Sequence, residues 1–344
     1  MESNLKKFEY TGAIHIHTLK SDGSGDFNAI VKAAKKAGLN WIIITDHNYI
    51  DTQEGIYNGI YVIKGEEISP KDKNHYLALG INSKIAPDEN PQIYIDHVRS
   101  QNGFGFAAHP DESRKRNNSY PAIIWDKSFI PDGVEIWNWF SCWGDMLNSK
   151  NIFTLAFSYL FKHRLISKAP QASLKWWDEL NNLKETIIPA IGGVDAHALK
   201  IKKYIIPVTI FPYKTMFKTI SNVINLDSPL SKDFSTAKEQ ILNAIKNGNN
   251  TIINKNISNN PPNIKITNNS KTAYCGESLN LDKNTYLNIN VNKKALIKII
   301  LNGRELCQCF AKKCNLLLTE IGKYRVEIVI NNKGFAYSNP IVVM

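Results

Sequence analysis

His15 and His17 stand two residues apart near the start of the chain, and Asp22 follows in a Ser-Asp-Gly-Ser-Gly turn. On a strand, side chains two apart share a face. Two imidazoles with a nearby carboxylate suit a divalent transition metal, because such N and O donors favour zinc, manganese or iron. A lone His-x-His is more often incidental than a ligand pair, so it gains meaning only from partners downstream. They recur. Asp46-His47 ends the apolar run Trp41-Ile-Ile-Ile-Thr, and Glu66-Glu67 sits in Gly65-Glu-Glu-Ile-Ser. His75 precedes Tyr-Leu-Ala-Leu-Gly, His109 ends Ala107-Ala-His-Pro, and Asp195 and His197 close Gly192-Gly-Val-Asp-Ala-His. Singly, each reads equally as a helix cap or a hydrogen-bonded core residue. Jointly, after successive strand-like runs, they read as imidazoles and carboxylates converging on metal ions, with a carboxylate able to bridge two of them.

The elements that must position these residues alternate in type. Ala13–Ile16 reads as a short strand ending at the His pair. Phe27 to Ala37 carries Ile30, Val31, Ala34 and Ala37 at helical spacing, with Asp26 as N-cap and Gly38 as stop. Trp41–Thr45 is a β-branched run of buried-strand type. Tyr61–Lys64, Tyr76–Leu79, Phe104–Ala108, Val134–Trp137 and Ile187–Ile191 read as further strands, and Pro91 to Ser100 as a helix. This alternation predicts a parallel sheet or barrel, whose C-terminal strand ends form the site. His75 is then expected either at the wrong end of its strand or on the loop before it. Residues from about 138 to 175 interrupt the rhythm as an aromatic insertion beside the mouth. Thr236-Ala-Lys-Glu239 reads as a capping box opening a helix to about Lys246. From Asn254 the composition turns to Asn, Thr, Val and Ile in short alternating runs, which predicts a small all-β module of Ig-like sandwich type. The expected division is 1–257 and 258–344, with the second part separable from the first.

The 344 residues, 43% hydrophobic and 21% charged, are ordinary for a globular protein, and a net charge of +11 favours anionic partners. No apolar segment is long enough to span a bilayer. The start of the chain lacks the apolar core of a signal peptide, and five cysteines in no common zinc spacing are expected as free thiols, so a cytoplasmic location is expected.

The ordered motifs His-x-His, Ser-Asp-Gly, Thr-Asp-His-Asn, Gly-x-Glu-Ile-Ser, His-x-Leu-Ala-Leu-Gly, Ala-His-Pro and Asp-Ala-His resemble those of the PHP (polymerase and histidinol phosphatase) superfamily, over about residues 10–255. The chain is most similar to stand-alone metallohydrolases of that superfamily, including those grouped with a carbaryl hydrolase, that carry a C-terminal β-module. The resemblance implies a distorted (β/α)7 barrel with a trinuclear site. It implies one ion on His15, His17, Glu67 and Asp195, a second on Glu67, His75 and His109, and a third on Asp22, His47 and His197. Glu66 occupies the variable position of its motif.

A water bridging such ions has a lowered pKa and supplies hydroxide at neutral pH. Up to three divalent ions (Zn, Mn or Fe) on three carboxylates stay net positive and can receive a phosphate. The expected activity is therefore metal-dependent hydrolysis of a phosphorylated small molecule or nucleotide. Arg114 and Arg116, with Lys115, follow His109 closely and are candidate phosphate clamps, or simply a solvated loop. Trp137 and Trp139 could wall a pocket or pack the core. Alternatives are a 3'-5' exonuclease or phosphodiesterase on oligonucleotides, an ester, amide or carbamate hydrolase, and a metal-stabilised binding module. The role of the β-module is not implied by the resemblance.

Overall fold

The computed structural model describes residues 7–113, 123–146, 160, 166–201 and 208–344. Seven strands close a barrel: β1 (Phe8–Ile16), β2 (Trp41–Ile44), β3 (Ile60–Ile68), β4 (Tyr76–Leu79), β5 (Phe104–Ala107), β6 (Gly133–Asn138) and β7 (Ala190–Ala196). Their order around the barrel is their order in the chain, and β7 returns to pair with β1. All neighbours run parallel except β4, which is antiparallel to both β3 and β5. The reversal follows from the short Ser69–His75 connection, since a parallel return needs about a dozen residues or more. It carries His75, just before β4, to the same barrel end as Glu67, near the end of β3.

Alternation sorts the strand residues into two layers. Ile14, Trp41, Ile43, Ile63, Leu77, Leu79, Phe104, Phe106 and Ile191 share one cluster inside the barrel. Ile16, Ile42, Ile44, Val62, Ala78, Ala107 and Val134 belong to a second cluster with the helices outside. Trp41 is fully buried, and a Cβ on Gly12 would lie 2.0 Å from its ring, so the indole fills the space that this glycine leaves.

The helices form largely where spacing predicts. The helix α1 (Phe27–Lys36) buries Ile30, Val31 and Ala34, and the Asp26 side chain accepts from the Ala29 N–H at its N-terminus. The helix α2 (Pro91–Ser100) links β4 to β5. Two more, α3 (Trp139–Met146) and α4 (Gln171–Leu183), flank the part of the insertion that lies outside the described residues. Trp137 and Trp139 are both buried in the core rather than walling a pocket. The helix α5 (Phe234–Lys246) starts earlier than the capping box suggests: Asp233 is its N-cap and accepts from the N–H and hydroxyl of Thr236. Its Ala237, Ile241, Leu242 and Ile245 pack with the barrel interior at the end away from the histidines.

Beyond the barrel, strand Ile220–Leu226 pairs with β1, and strand Asn250–Asn254 pairs with Ile220–Leu226. Asn250–Asn254 then pairs with Lys333–Ser338, so one sheet runs across the expected boundary at 257/258. The C-terminal strands Tyr286–Leu301, Arg304–Leu317 and Gly322–Ile330 surround their own core, which includes Ile289, Ile297, Val326 and Ile328. The contact with the barrel is nonetheless dense. Tyr337 packs in the barrel's outer core with its ring edge-on to Trp137, and the Asn339 amide bonds both the N–H and the carbonyl of Ala190. Arg325, 5% exposed, forms a two-pronged ion pair with Asp178 of α4 and lies over the Trp177 ring.

Candidate metal centre

Side-chain parity alone would not build this centre. Gly12 and Ile14 of β1 face the interior, so strict alternation would point Ile16 inward. The pairing of β1 with β7 shifts between Ile14 and Ile16, and His15 takes φ 70°. This bulge exchanges the faces, so that His15 and His17 point inward and Ile16 joins the outer core. Asp195 (φ 52°) and His109 (φ 30°) are likewise in the left-handed region that non-glycine residues avoid. Such strain concentrates at functional sites, where neighbours hold it in place.

The described structure brings all nine sequence-predicted ligands to one end of the barrel. Glu67 is at the centre and fully buried. Its Oε1 lies 2.8 Å from His75 Nδ1 and 3.2 Å from His109 Nε2. Its Oε2 lies 3.2 Å from His15 Nε2, 3.3 Å from His17 Nε2 and 3.1 Å from His47 Nδ1. Asp195 Oδ1 is 3.5 Å from His15 Nε2 and 3.3 Å from His17 Nε2. To one side, Asp22 lies 3.2 Å from His197 Nε2 and 3.6 Å from His47 Nε2. The His17 ring stands between the groups, with Nδ1 3.7 Å from Asp22. Arg114 and Arg116, the candidate phosphate clamps, lie outside the described residues.

The loop carrying Asp22 is tied down from several sides. The Asp46 carboxylate accepts from the Thr18 N–H at 2.6 Å and from the hydroxyls of Thr18 and Ser21. The Tyr213 hydroxyl donates to the His17 carbonyl and accepts from the Gly25 N–H. Asp46 is therefore a loop anchor, although it neighbours a ligand in sequence.

Two carboxylates that motif reading missed complete the surroundings. Glu135 Oε1 lies 2.8 Å from His15 Nδ1, and Glu112 Oε2 lies 3.1 Å from His109 Nδ1. Both are buried. The available signals were a lone charge in the apolar strand Gly133-Val-Glu-Ile-Trp and a glutamate three residues after His109.

These groups strongly perturb one another. Burial and the adjacent positive imidazole His197 lower His17 to about 4. Burial also opposes charge on His109 and His197, but Glu112 beside the first and Asp195 beside the second raise each to about 9. Burial works against the ionised forms of Glu67 and Asp195 too. The surrounding histidines override it and hold both well below the usual carboxylate range.

The donor set fits divalent metal ions. An ion about 2.0–2.2 Å from N and O ligands sets those ligands roughly 3.0–3.5 Å apart, which matches most of the spacings around Glu67. Both ring nitrogens of His17 are buried, and neither has a hydrogen-bond partner. Buried polar atoms without partners are costly, and coordination would satisfy one of them. The Nδ1 of His197 sits 3.0 Å from the Asp195 carbonyl, an acceptor that fixes its proton there and leaves Nε2 free to ligate.

No family model matches the chain. An uncharacterised protein of Methanocaldococcus jannaschii is 31% identical over 149 residues, spanning 36% of this chain and 80% of that protein, and the two are of one family. Two solved structures resemble the chain weakly. A two-domain protein from Bacteroides vulgatus, containing a predicted PHP-like metal-dependent phosphoesterase, is 13% identical with a TM-score of 0.44. The match covers 97% of this chain and 95% of that one. PsfC from Pseudomonas syringae is 12% identical with a TM-score of 0.37, over 68% of this chain and 88% of that one.

Proposed function

We propose that this chain, a member of the PHP superfamily, is a metal-dependent hydrolase that acts on phosphoric esters. One observation carries the reading: the single buried carboxylate of Glu67 faces the ring nitrogens of five histidines. Glu67 hydrogen-bonds only His15, His75 and His109, His47 Nδ1 has Ser69 Oγ at 2.6 Å, and His17 is left without a partner; cations between these groups would resolve the shortfall.

We assign three positions. His15, His17, Glu67 and Asp195 hold the first, Glu67, His75 and His109 the second, and Asp22, His47 and His197 the third. Zinc, manganese or iron bound there would activate water at neutral pH and offset the charge developing on phosphoryl oxygens. The three carboxylates are too few to neutralise three divalent ions, so the centre retains positive charge for an anionic substrate. The Phe140 ring lies 5.3 Å from that of His197 and walls one side of the third position. The C-terminal strands are read as an Ig-like sandwich. A cytoplasmic place of action is part of this reading, from the sequence's cysteine spacing.

The test is hydrolysis of p-nitrophenyl phosphate, its bis-ester and a p-nitrophenyl carboxylic ester by apoprotein resupplied with Mn, Zn or Fe. Metal-dependent turnover of the monoester, abolished by a chelator, is the expected result. Preference for the bis-ester would point to a phosphodiesterase acting on small molecules or oligonucleotides. Turnover of the carboxylic ester alone would overturn the phosphoester reading, and no turnover of any would favour a binding module.

A further inference from the structure

We infer that Glu135 is a positioning residue that couples the first two metal positions, fixing the His15 ring at one and the His109 main chain at the other. The inference rests on the metal centre proposed above. Both oxygens of Glu135 are committed. Oε1 is 2.8 Å from His15 Nδ1, and Oε2 accepts from the His109 backbone N–H at 2.7 Å and from the Asn138 side-chain amide at 3.0 Å. The Asn138 side-chain oxygen Oδ1 in turn accepts from the Ser141 N–H at the start of α3. The carboxylate is thus held by a neighbouring element as well as holding the ligands.

Three features show what this arrangement does. An acceptor at His15 Nδ1 keeps the proton on that nitrogen and presents the Nε2 lone pair towards Glu67 and Asp195, the geometry of a carboxylate–histidine–metal relay. His15 and His109 are both non-glycine residues at positive φ, and the shared carboxylate bonds one by its ring and the other by its backbone. The fold also reserves space for the group. A Cβ on Gly193 would lie 1.6 Å from Glu135 Oε1, so only glycine fits there. The β6–β7 pairing shifts one residue beyond Glu135, which lets Glu135 and Asn138 both face the centre.

An isosteric amide cannot replace this carboxylate. Every partner of Glu135 is a donor, so Glu135→Gln must turn its NH2 towards a donor at one of them. Gly193→Ala should displace the carboxylate without altering its chemistry. The experiment titrates Mn2+ or Zn2+ alone into the full-length apoprotein, in competition with a chromophoric chelator. The apo melting temperature is recorded in parallel, and Glu66→Gln serves as a control on the opposite face of β3. Glu135→Gln and Gly193→Ala are each expected to bind metal about 10- to 100-fold more weakly, the usual cost of losing a partner behind a ligand. Their apo melts should also fall, by overpacking in Gly193→Ala and by a buried donor facing a donor in Glu135→Gln, so the metal affinity of the folded apoprotein is the deciding readout. Wild-type affinity in Glu135→Gln, or a lowered apo melt with unchanged affinity, would reduce the residue to a packing role and overturn the inference. A wild type that takes up no metal overturns the centre and the coupling together. A metal-loaded wild type that hydrolyses no phosphoester overturns the activity alone and leaves the coupling standing.

Discussion

Glu66 and Glu67 are adjacent on β3, and their surroundings could hardly differ more. Glu67 faces the histidines. Glu66 faces away, where its Oε2 accepts from the Ile85 N–H at 3.0 Å and burial raises its pKa to about 7. Glu67→Gln should therefore lose more than one metal and nearly all turnover, whereas Glu66→Gln should keep both. Elemental analysis beside activity decides between them, and the opposite pattern would put the register off by one. The pH dependence of Glu66 has a definite sign. Its folded pKa lies above the unfolded 4.5, so between 4.5 and about 7 the native state binds more protons and stability falls as pH rises. In Glu66→Gln that decline should shrink, because the amide accepts the same Ile85 bond without ionising. Urea midpoints of both proteins at pH 5 and pH 7 test this.

At the scale of elements, the barrel is a set of short strands whose ends are re-aimed where ligands are needed. The lower part keeps strict alternation, and there the packing is tight. Gly12→Ala should cost about 1–3 kcal/mol by overpacking, since the new methyl must displace the buried Trp41 ring. Chemical denaturation would show it, and an unchanged midpoint would mean that Trp41 moves freely. The α1 cap is a milder case. Asp26→Ala removes the acceptor for the Ala29 N–H and should cost about 1 kcal/mol without affecting the centre.

At the scale of the molecule, the two cores share a sheet and several buried polar contacts. Composition predicts separability at 257/258. From the pairing of Asn250–Asn254 with Lys333–Ser338 and the packing of Tyr337 on Trp137, we propose that the parts fold as a unit. A chain ending near Ser258 should be insoluble or lack cooperative unfolding. Full-length protein should melt in one transition. Arg325→Ala should destabilise the fold by about 3–5 kcal/mol and lower that transition, because it leaves the partly buried Asp178 without its partner. A two-step melt in the wild type would restore the picture of independent domains.

The amino-acid sequence by itself determined the identity and strand-end placement of the nine candidate ligands, the helix α1 with its Asp26 cap, and most of the strand positions. These are local properties, written in period-two and helical spacing and in turn residues. It also favoured Glu67 over Glu66, through motif register rather than through anything visible in the residues alone. Tertiary structure decided what depends on partners distant in the chain. The reversal of β4 placed His75, and the bulge at His15 turned the His pair inward against simple alternation. Glu135 on β6 met His15 of β1 only when the barrel closed around β7, whereas Glu112 pairs with His109 only three residues away, a local partner that no motif announced. A carboxylate in an apolar strand has no local signature of its partner. The joining of the C-terminal strands to the barrel was hidden for the same reason: a strand's sequence specifies which face is buried, but not which edge it will meet.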